Sequence, residues 1–174
     1  MLVLRPALGV ATRRLSPTED ARGLQALFES CHDYFESVGG IEAFPDEANR
    51  ELADVPPGVA PDAKVSIGFF DRIGLCGYLD IIQGYPGINE WLISHLLFAA
   101  RARDRGIGHA AIEEIVAWMQ REGASVLRAW CAVENHAAQR FWKREGFRAL
   151  TVPRPKQRAD RTILMSHLGL CLPR

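Results

Sequence analysis

The stretch from Glu90 to Met119 constrains this chain most. An almost unbroken apolar run, Glu90 to Phe98, leads through a basic, glycine-bearing turn into an amphipathic helix. A short apolar run bounded by turn signals reads as a buried central strand. Its sequel, Arg103-Asp104-Arg105-Gly106-Ile107-Gly108-His109, has the form Arg-x-x-Gly-x-Gly. Gly106 opens a helix with Gly108, Ile112, Ile115, Val116 and Met119 on one face and Glu113, Glu114, Gln120 and Arg121 on the other. Gly123 supplies its C-cap. The first turn of a helix offers N–H groups without internal partners and carries partial positive charge. Two glycines let an anion approach those groups, and Arg103 and Arg105 add full charge, so the turn predicts a pyrophosphate cradle.

Gly9 to Leu15 reads as a short extended segment, closed by Ser16-Pro17-Thr18-Glu19, a capping box with proline at the first helical position. The helix that follows carries Leu24, Leu27, Phe28 and Cys31 and reaches toward Tyr34 and Phe35 before Gly39-Gly40, a candidate hinge. A weaker helix spans Asp46 to Asp54. Lys64 to Phe70 and Gly74 to Gln83 flank the turn Asp71-Arg72-Ile73-Gly74 and form a hairpin, with Glu90 to Phe98 as the next strand of the meander. Downstream come a strand at Val126 to Val133, a helix at Ala137 to Glu145, a strand at Phe147 to Val152 and a last strand at Thr162 to Leu168. The polar segment Pro153 to Asp160 reads as a mobile loop. The order is that of an α/β (α+β) protein: one mixed, mostly antiparallel sheet of about six to seven strands, flanked by about four helices.

The 174 residues suit one domain, 1–174, and 48% hydrophobic content suffices for a core. Lys plus Arg and Asp plus Glu are 21 each, which gives no reason to expect nucleic acid or an acidic membrane as partner. The start, Met1 to Pro6, is too short and broken for a signal segment, and no apolar run is long enough to span a bilayer. Cys31, Cys76, Cys131 and Cys171 lack metal or redox spacing, so no metal is expected and reduced thiols in a cytoplasmic protein are.

Gly106-Ile107-Gly108-His109-Ala110-Ala111 also fits the dinucleotide fingerprint Gly-x-Gly-x-x-Ala, which would make the chain a nicotinamide-dependent oxidoreductase. That fingerprint follows its strand at once and opens a series of βαβ units. Here Ala99 to Arg105 intervene, the upstream strands form a meander, and no acidic residue ends the strand Val126 to Val133. The oxidoreductase reading is the poorer one.

The stretch from about 90 to 150 resembles the cofactor-binding core of the GNAT superfamily of N-acetyltransferases. Three features carry the resemblance in order: the Arg103 to Gly108 turn, the strand ending in Glu134-Asn135, and Asn135-x-x-Ala138-x-x-Phe141-Trp142-x-x-x-Gly146-Phe147. The resemblance implies a splay between the fourth and fifth strands, with acetyl-CoA in the gap. It implies that the backbone of Leu96, Leu97 and Phe98 pairs with the pantetheine arm, and that the N–H of Leu97 or Phe98 polarises the thioester carbonyl. Residues Arg103, Asp104, Arg105, Gly106, Ile107, Gly108 and His109 would bind the pyrophosphate, and Asn135 the pantetheine, unless Asn135 serves only as a helix cap. Many relatives carry a tyrosine where this chain has Trp142, so a tyrosine acid at that position is absent and Trp142 is a cofactor wall or core.

The resemblance implies N-acetylation of a primary amine, on a small molecule or peptide, by direct attack in a ternary complex. A base must take the amine's proton; His95, Asp80 and Glu90 are the candidates, with Glu90 expected in solvent. The first helices wall the acceptor pocket in this fold, which points to Asp33 and Tyr34 as substrate contacts, with Tyr34 also a catalytic candidate. Glu29, Asp33 and Glu36 would then make the pocket mouth acidic. A homodimer is compatible with the family, and a non-catalytic acyl-CoA sensor is the alternative reading.

Overall fold

The computed structural model describes residues 8–39, 42–158 and 161–173. The stretch Met1 to Pro6, Gly40 of the candidate hinge and Asp160 lie outside them. Strands β1 (Ala11–Arg14), β2 (Lys64–Phe70), β3 (Leu75–Ile82), β4 (Glu90–Phe98), β5 (Val126–Ala132), β6 (Arg148–Ala149), β7 (Arg154–Arg158) and β8 (Arg161–Cys171) form one sheet. Its order is β1-β2-β3-β4-β5-β8-β6, with β7 also paired to β8. The helices are α1 (Pro17–Glu29), α2 (His32–Gly39), α3 (Glu47–Ala53), α4 (Ile107–Arg121) and α5 (His136–Arg144). Among the described residues the sheet has eight strands where the sequence predicts six or seven, and five α-helices flank it where about four are expected.

All neighbours are antiparallel except β4 and β5, which run parallel from Glu90↔Val126 to Ile93↔Ala129. Beyond Ile93 the two strands have no paired register, so the sheet splays there, as expected. The cause is local. Asp80 pairs with His95 and the next residue, Ile81, with Ile93, which leaves Ser94 as an extra residue in β4. Such a bulge bends its strand and re-aims the side chains beyond it. Trp91 and Ile93 face the core under α4, whereas after the bulge it is Leu96 and Phe98 that do, and Leu97 joins the second core under α1, α2 and α3. The same phase shift turns His95 toward the α1–α2 side, where its ring lies among those of Phe28, Tyr34 and Tyr78 at 6.0–6.3 Å between centroids.

Two local expectations are corrected. Ser16 makes no side-chain cap to α1; its N–H instead donates to Asp20 Oδ2 at 2.8 Å, so the carboxylate closing that turn is Asp20 rather than Glu19. The segment read as a mobile loop contains β7, which pairs with β8 from Arg154↔Met165 to Arg158↔Arg161. Its side chains are nearly all exposed and include Pro155, a residue tolerated on an edge strand, so no apolar alternation marked it. Conversely, the strand expected at Phe147 to Val152 shrinks to Arg148–Ala149. Among the described residues no helix is long and apolar enough to cross a membrane.

Candidate active site

The splay produces two cavities that meet. A groove of about 360 Å³ runs from the end of β4 over the N-terminus of α4 to α5, and a larger cavity of about 680 Å³ lies between β4, β5, α3 and the β7–β8 hairpin. Tyr34, Leu96, Asn135, Ala138 and Trp142 line both, and so mark their junction.

Every residue proposed from the sequence for the cofactor lines the groove except one. Arg105 is turned away, its Nη2 donating to the Leu8 carbonyl at 3.0 Å. At the start of α4 no side chain caps the helix, and the first intrahelical bond is Ala110 N–H to Gly106 C=O at 3.0 Å. The N–H groups of Ile107, Gly108 and His109 therefore precede the ladder. The two glycines serve different ends. Gly106 has φ of 77°, a left-handed conformation that an L side chain resists. Gly108 lets α4 and α5 approach closely: a Cβ there would stand 3.1 Å from the Phe141 ring and push it by a few tenths of an ångström.

The edge of β4 in the splay is open. Ala99 N–H donates to the Cys76 carbonyl at 2.9 Å. That makes Phe98 and Gly77 a non-hydrogen-bonded pair of the β3–β4 ladder, so the backbone N–H and C=O of Phe98, and by the two-residue period of Leu96, point into the gap. The amide of Leu97 points the other way, to Tyr78. The Phe98 carbonyl is already taken by Arg103 Nε at 2.7 Å.

Arg103 is otherwise engaged with Asp33. Its Nη2 meets Asp33 Oδ1 at 2.9 Å and its Nη1 meets Oδ2, a pair that ties α2 to the turn before α4. Asp33 thus sits on the groove and not on the larger cavity, and with Glu29 and Glu36 exposed and off its lining, the acidic mouth expected there does not form. His109 Nδ1 lies 2.7 Å from Glu145 Oε2, which joins α4 to the end of α5 and raises the imidazole pKa. Sequence reasoning missed Arg140 and Arg144 of α5, which also line the groove; their only signal was two cations one turn apart on a helix facing the gap.

Asn135 caps α5, its Oδ1 accepting Ala138 N–H at 3.0 Å, while its Nδ2 donates to Ser37 Oγ at 3.0 Å. Trp142 is buried, with the Phe141 and Phe147 rings 5.1 and 4.7 Å away, and forms core and cavity wall at once.

Of the three candidate bases, only His95 lines the larger cavity. Asp80 is fully buried among Lys64 Nζ at 2.9 Å, Ser66 Oγ at 2.6 Å and Ser94 Oγ, so it meets neither cleft nor solvent and instead anchors the bulge. Glu90 is not free in solvent but holds Arg128 in a bidentate pair at 2.7 and 2.8 Å, across the closed end of the splay. His95 Nδ1 lies 3.0 Å from Glu51 Oε2, at hydrogen-bond distance but without hydrogen-bond alignment, so the attraction is one of charge. Burial draws the imidazole pKa down, and the Glu51 carboxylate more than reverses it. Burial likewise raises Glu51, but the charge of His95, with Lys64 and Lys156 further off, holds it at about 2. Nothing in the sequence marks Glu51, one of several acidic residues on a weak helix. Tyr34, on the junction, has its hydroxyl pKa pushed above the usual tyrosine value by burial and by the charges of Glu51 and Glu47.

Together these features form a groove with bare helix amides at one end, an unpaired strand edge in the middle, and a polar cavity with a His–Glu pair at the other end. Known structures share the fold. An acetyltransferase from Thermus thermophilus is similar at 24% identity over 98% of this chain and 100% of that one, with a TM-score of 0.69. A GCN5-related N-acetyltransferase from Kribbella flavida is similar at 21% identity over 97% and 100%, TM-score 0.68. The ribosomal-protein-S18-alanine N-acetyltransferase from Escherichia coli is similar at 12% identity over 95% of each chain, TM-score 0.70. At such identities the likeness establishes the fold. No curated protein matches the sequence. The model of the acetyltransferase (GNAT) family matches residues 24–147, well over half of the chain, and the chain belongs to that family.

Proposed function

We propose that the protein transfers an acetyl group from acetyl-CoA to a primary amine bound in the larger cavity. The observation that carries this is the continuity of the two cavities at Tyr34, Leu96 and Trp142, with a proton acceptor on one side and anion-binding amides on the other. The residues present fit the donor. The amides of Ile107, Gly108 and His109 suit its diphosphate, Arg140 and Arg144 add charge, and the open edge at Leu96 and Phe98 suits the pantetheine as an added strand. Arg103 contributes by holding α2 and the turn in place, since Asp33 and Phe98 occupy its donors. Acetyl-CoA supplies the activated thioester.

The chain's own residues then divide the work. His95 accepts the proton that the arriving ammonium must lose, and Glu51, still ionised, stabilises the resulting imidazolium. The Phe98 N–H, or that of Leu96, faces the place where negative charge grows on the carbonyl oxygen; Leu97 is directed to β3 and does not serve. Trp142 has no proton to give. Tyr34 holds its proton too tightly to surrender it, and so acts as a hydrogen-bond donor to the departing sulfur, which takes its proton from solvent. The C–N bond forms as the C–S bond breaks, and the amine's second proton passes to solvent as the sulfur takes one, giving the amide and free CoA thiol.

The test is thiol release from acetyl-CoA across a panel of primary amines. Turnover with at least one amine, abolished in His95→Ala, is the expected result. Tight CoA binding with no turnover for any amine would instead make the protein an acyl-CoA sensor.

A further inference from the structure

The larger cavity has two walls of opposite charge. Glu51 and Asp54 belong to α3 and its end, and Lys156 and Arg158 belong to β7. Two other charges on or behind the lining are already matched: His95 faces Glu51, and Lys64 is paired to buried Asp80. On the β7 wall Lys156 is unmatched and Arg158 only partly engaged. Lys156 is exposed and forms no ion pair among the described residues. Arg158 reaches Glu47 through Nη2 alone, at 3.1 and 3.2 Å to the two carboxylate oxygens, while its Nε–H is buried without any acceptor.

Arg158 is also held rigidly. Its guanidinium lies over the rings of Phe35 and Phe44, at 5.5 and 5.2 Å from their centroids, and Glu47 fixes its far end. A guanidinium so fixed is a pre-formed oxoanion receptor, because little side-chain freedom remains to be lost on binding. Its Nη1 makes no hydrogen bond among the described residues, which leaves a donor for an oxoanion in the cavity that Arg158 lines. Lys156 and Arg158 line the same cavity as Glu51 and His95, so one small molecule can meet both walls, and the charge of Lys156 is felt at that pair. The cavity volume suits a ligand of amino-acid to short-peptide size.

From these observations, and resting on the acetyl-transfer reading above, we propose that the acceptor is a zwitterion: a primary amine that also carries a carboxylate or similar oxoanion, its ammonium end toward Glu51 and His95 and its acidic end on Lys156 and Arg158. A simple polyamine would meet a basic wall. A neutral amine would leave the charge of Lys156 without a partner. The acidic residues that select the ammonium end are Glu51 and Asp54 rather than Glu29, Asp33 and Glu36, which do not line the cavity.

The experiment uses matched pairs of acceptors: L-amino acids against their α-amides, ω-amino acids against the corresponding monoamines, and aminoalkyl phosphonates as the alternative oxoanion. Thiol release is measured with the full chain, its Lys156→Gln variant and Lys156→Arg. In at least one pair the acid-bearing member should exceed its neutral partner by about tenfold or more in kcat/KM, the range of a hydrogen bond to a charged group. Lys156→Gln should shrink that ratio mainly through KM, and Lys156→Arg should restore it. Neutral members turned over as well as acidic ones in every pair, or a ratio untouched by Lys156→Gln, would overturn the proposal. If no amine turns over while CoA binds, the transfer reading fails by itself. Calorimetry with the same pairs then decides this one: binding of an acid-bearing amine that is lost both in its amide and in Lys156→Gln supports it, and equal or absent binding sinks it.

Discussion

His95 and Glu51 come from elements far apart in the chain, β4 and α3, yet the imidazole Nδ1 stands 3.0 Å from the carboxylate because a bulge at Ser94 turns His95 toward the helices. Without that extra residue the two-residue period would point His95 into the core under α4. One inserted residue thus both opens the sheet and aims the base.

The pair makes a prediction about pH. Burial lowers the imidazole pKa and Lys156 of β7 adds to that; Glu51, on α3, and Asp80, beneath in β3, oppose them, and the net shift is upward. Because the reaction needs neutral His95, kcat should rise with pH through a midpoint above the ordinary histidine value of about 6.5. Glu51→Gln removes the largest raising influence, so the midpoint should move to lower pH, while the plateau falls about tenfold or more for want of a partner to the imidazolium. A profile of kcat from pH 5 to 10 checks both. A midpoint that stays fixed in Glu51→Gln separates His95 from the proton transfer.

Tyr34 lies on the junction of groove and cavity with a hydroxyl that stays protonated throughout the working range. Tyr34→Phe should therefore lower kcat by about ten- to a hundredfold, with KM for acetyl-CoA little changed, since the lost hydrogen bond matters only as the sulfur departs. A rise in KM at constant kcat would show instead that Tyr34 merely binds the acceptor.

Much of the cofactor side was legible because it rests on local chemistry. The glycine and arginine turn, the apolar strand before it and Asn135 before α5 are contiguous signals, and the groove gathers eleven of the twelve residues named from them. Arg105 escaped because nothing in the sequence shows which way a turn residue points. The acceptor side was legible only in outline. Glu51, Lys156 and Arg158 come from elements with weak periodicity, and it is the long-range pairing of β8 with β5, carrying β7 along in its hairpin, that brings the two basic residues to the cavity of Glu51. Asp80 was misread for the same reason: a polar residue in a strand looks available until its neighbours Lys64, Ser66 and Ser94 are seen to enclose it.

That enclosure makes Asp80 a stability residue. The Lys64 side chain is 7% exposed and Asp80 is 0% exposed, so removing one charge leaves the other buried and unmatched. Asp80→Asn should cost about 3 kcal/mol, the lower end for breaking a buried ion pair. For a chain of this size that is a fall of about 6–12 °C in Tm. Adding Lys64→Met should recover more than half, because it removes the orphaned charge. Calorimetric melts of the three proteins decide it, and a single variant within about 1 kcal/mol of the parent would place Asp80 outside the core's electrostatic framework.

The diphosphate assignment needs a variant that spares the fold. Gly106 is unsuitable, because its left-handed backbone makes any side chain there a strain on α4 itself. Gly108 is no better, since a methyl group at that position would meet the Phe141 ring at 3.1 Å. Arg140 is exposed on α5 and lines the groove, so reversing its charge touches no packing. Arg140→Glu should weaken CoA binding about tenfold or more at low salt and less at high salt, because the interaction is one of screened surface charge. The melting temperature without ligand should not change. Titration calorimetry at two ionic strengths reads the effect, and an affinity indifferent to both the substitution and the salt would move the phosphates of CoA away from the α4–α5 groove.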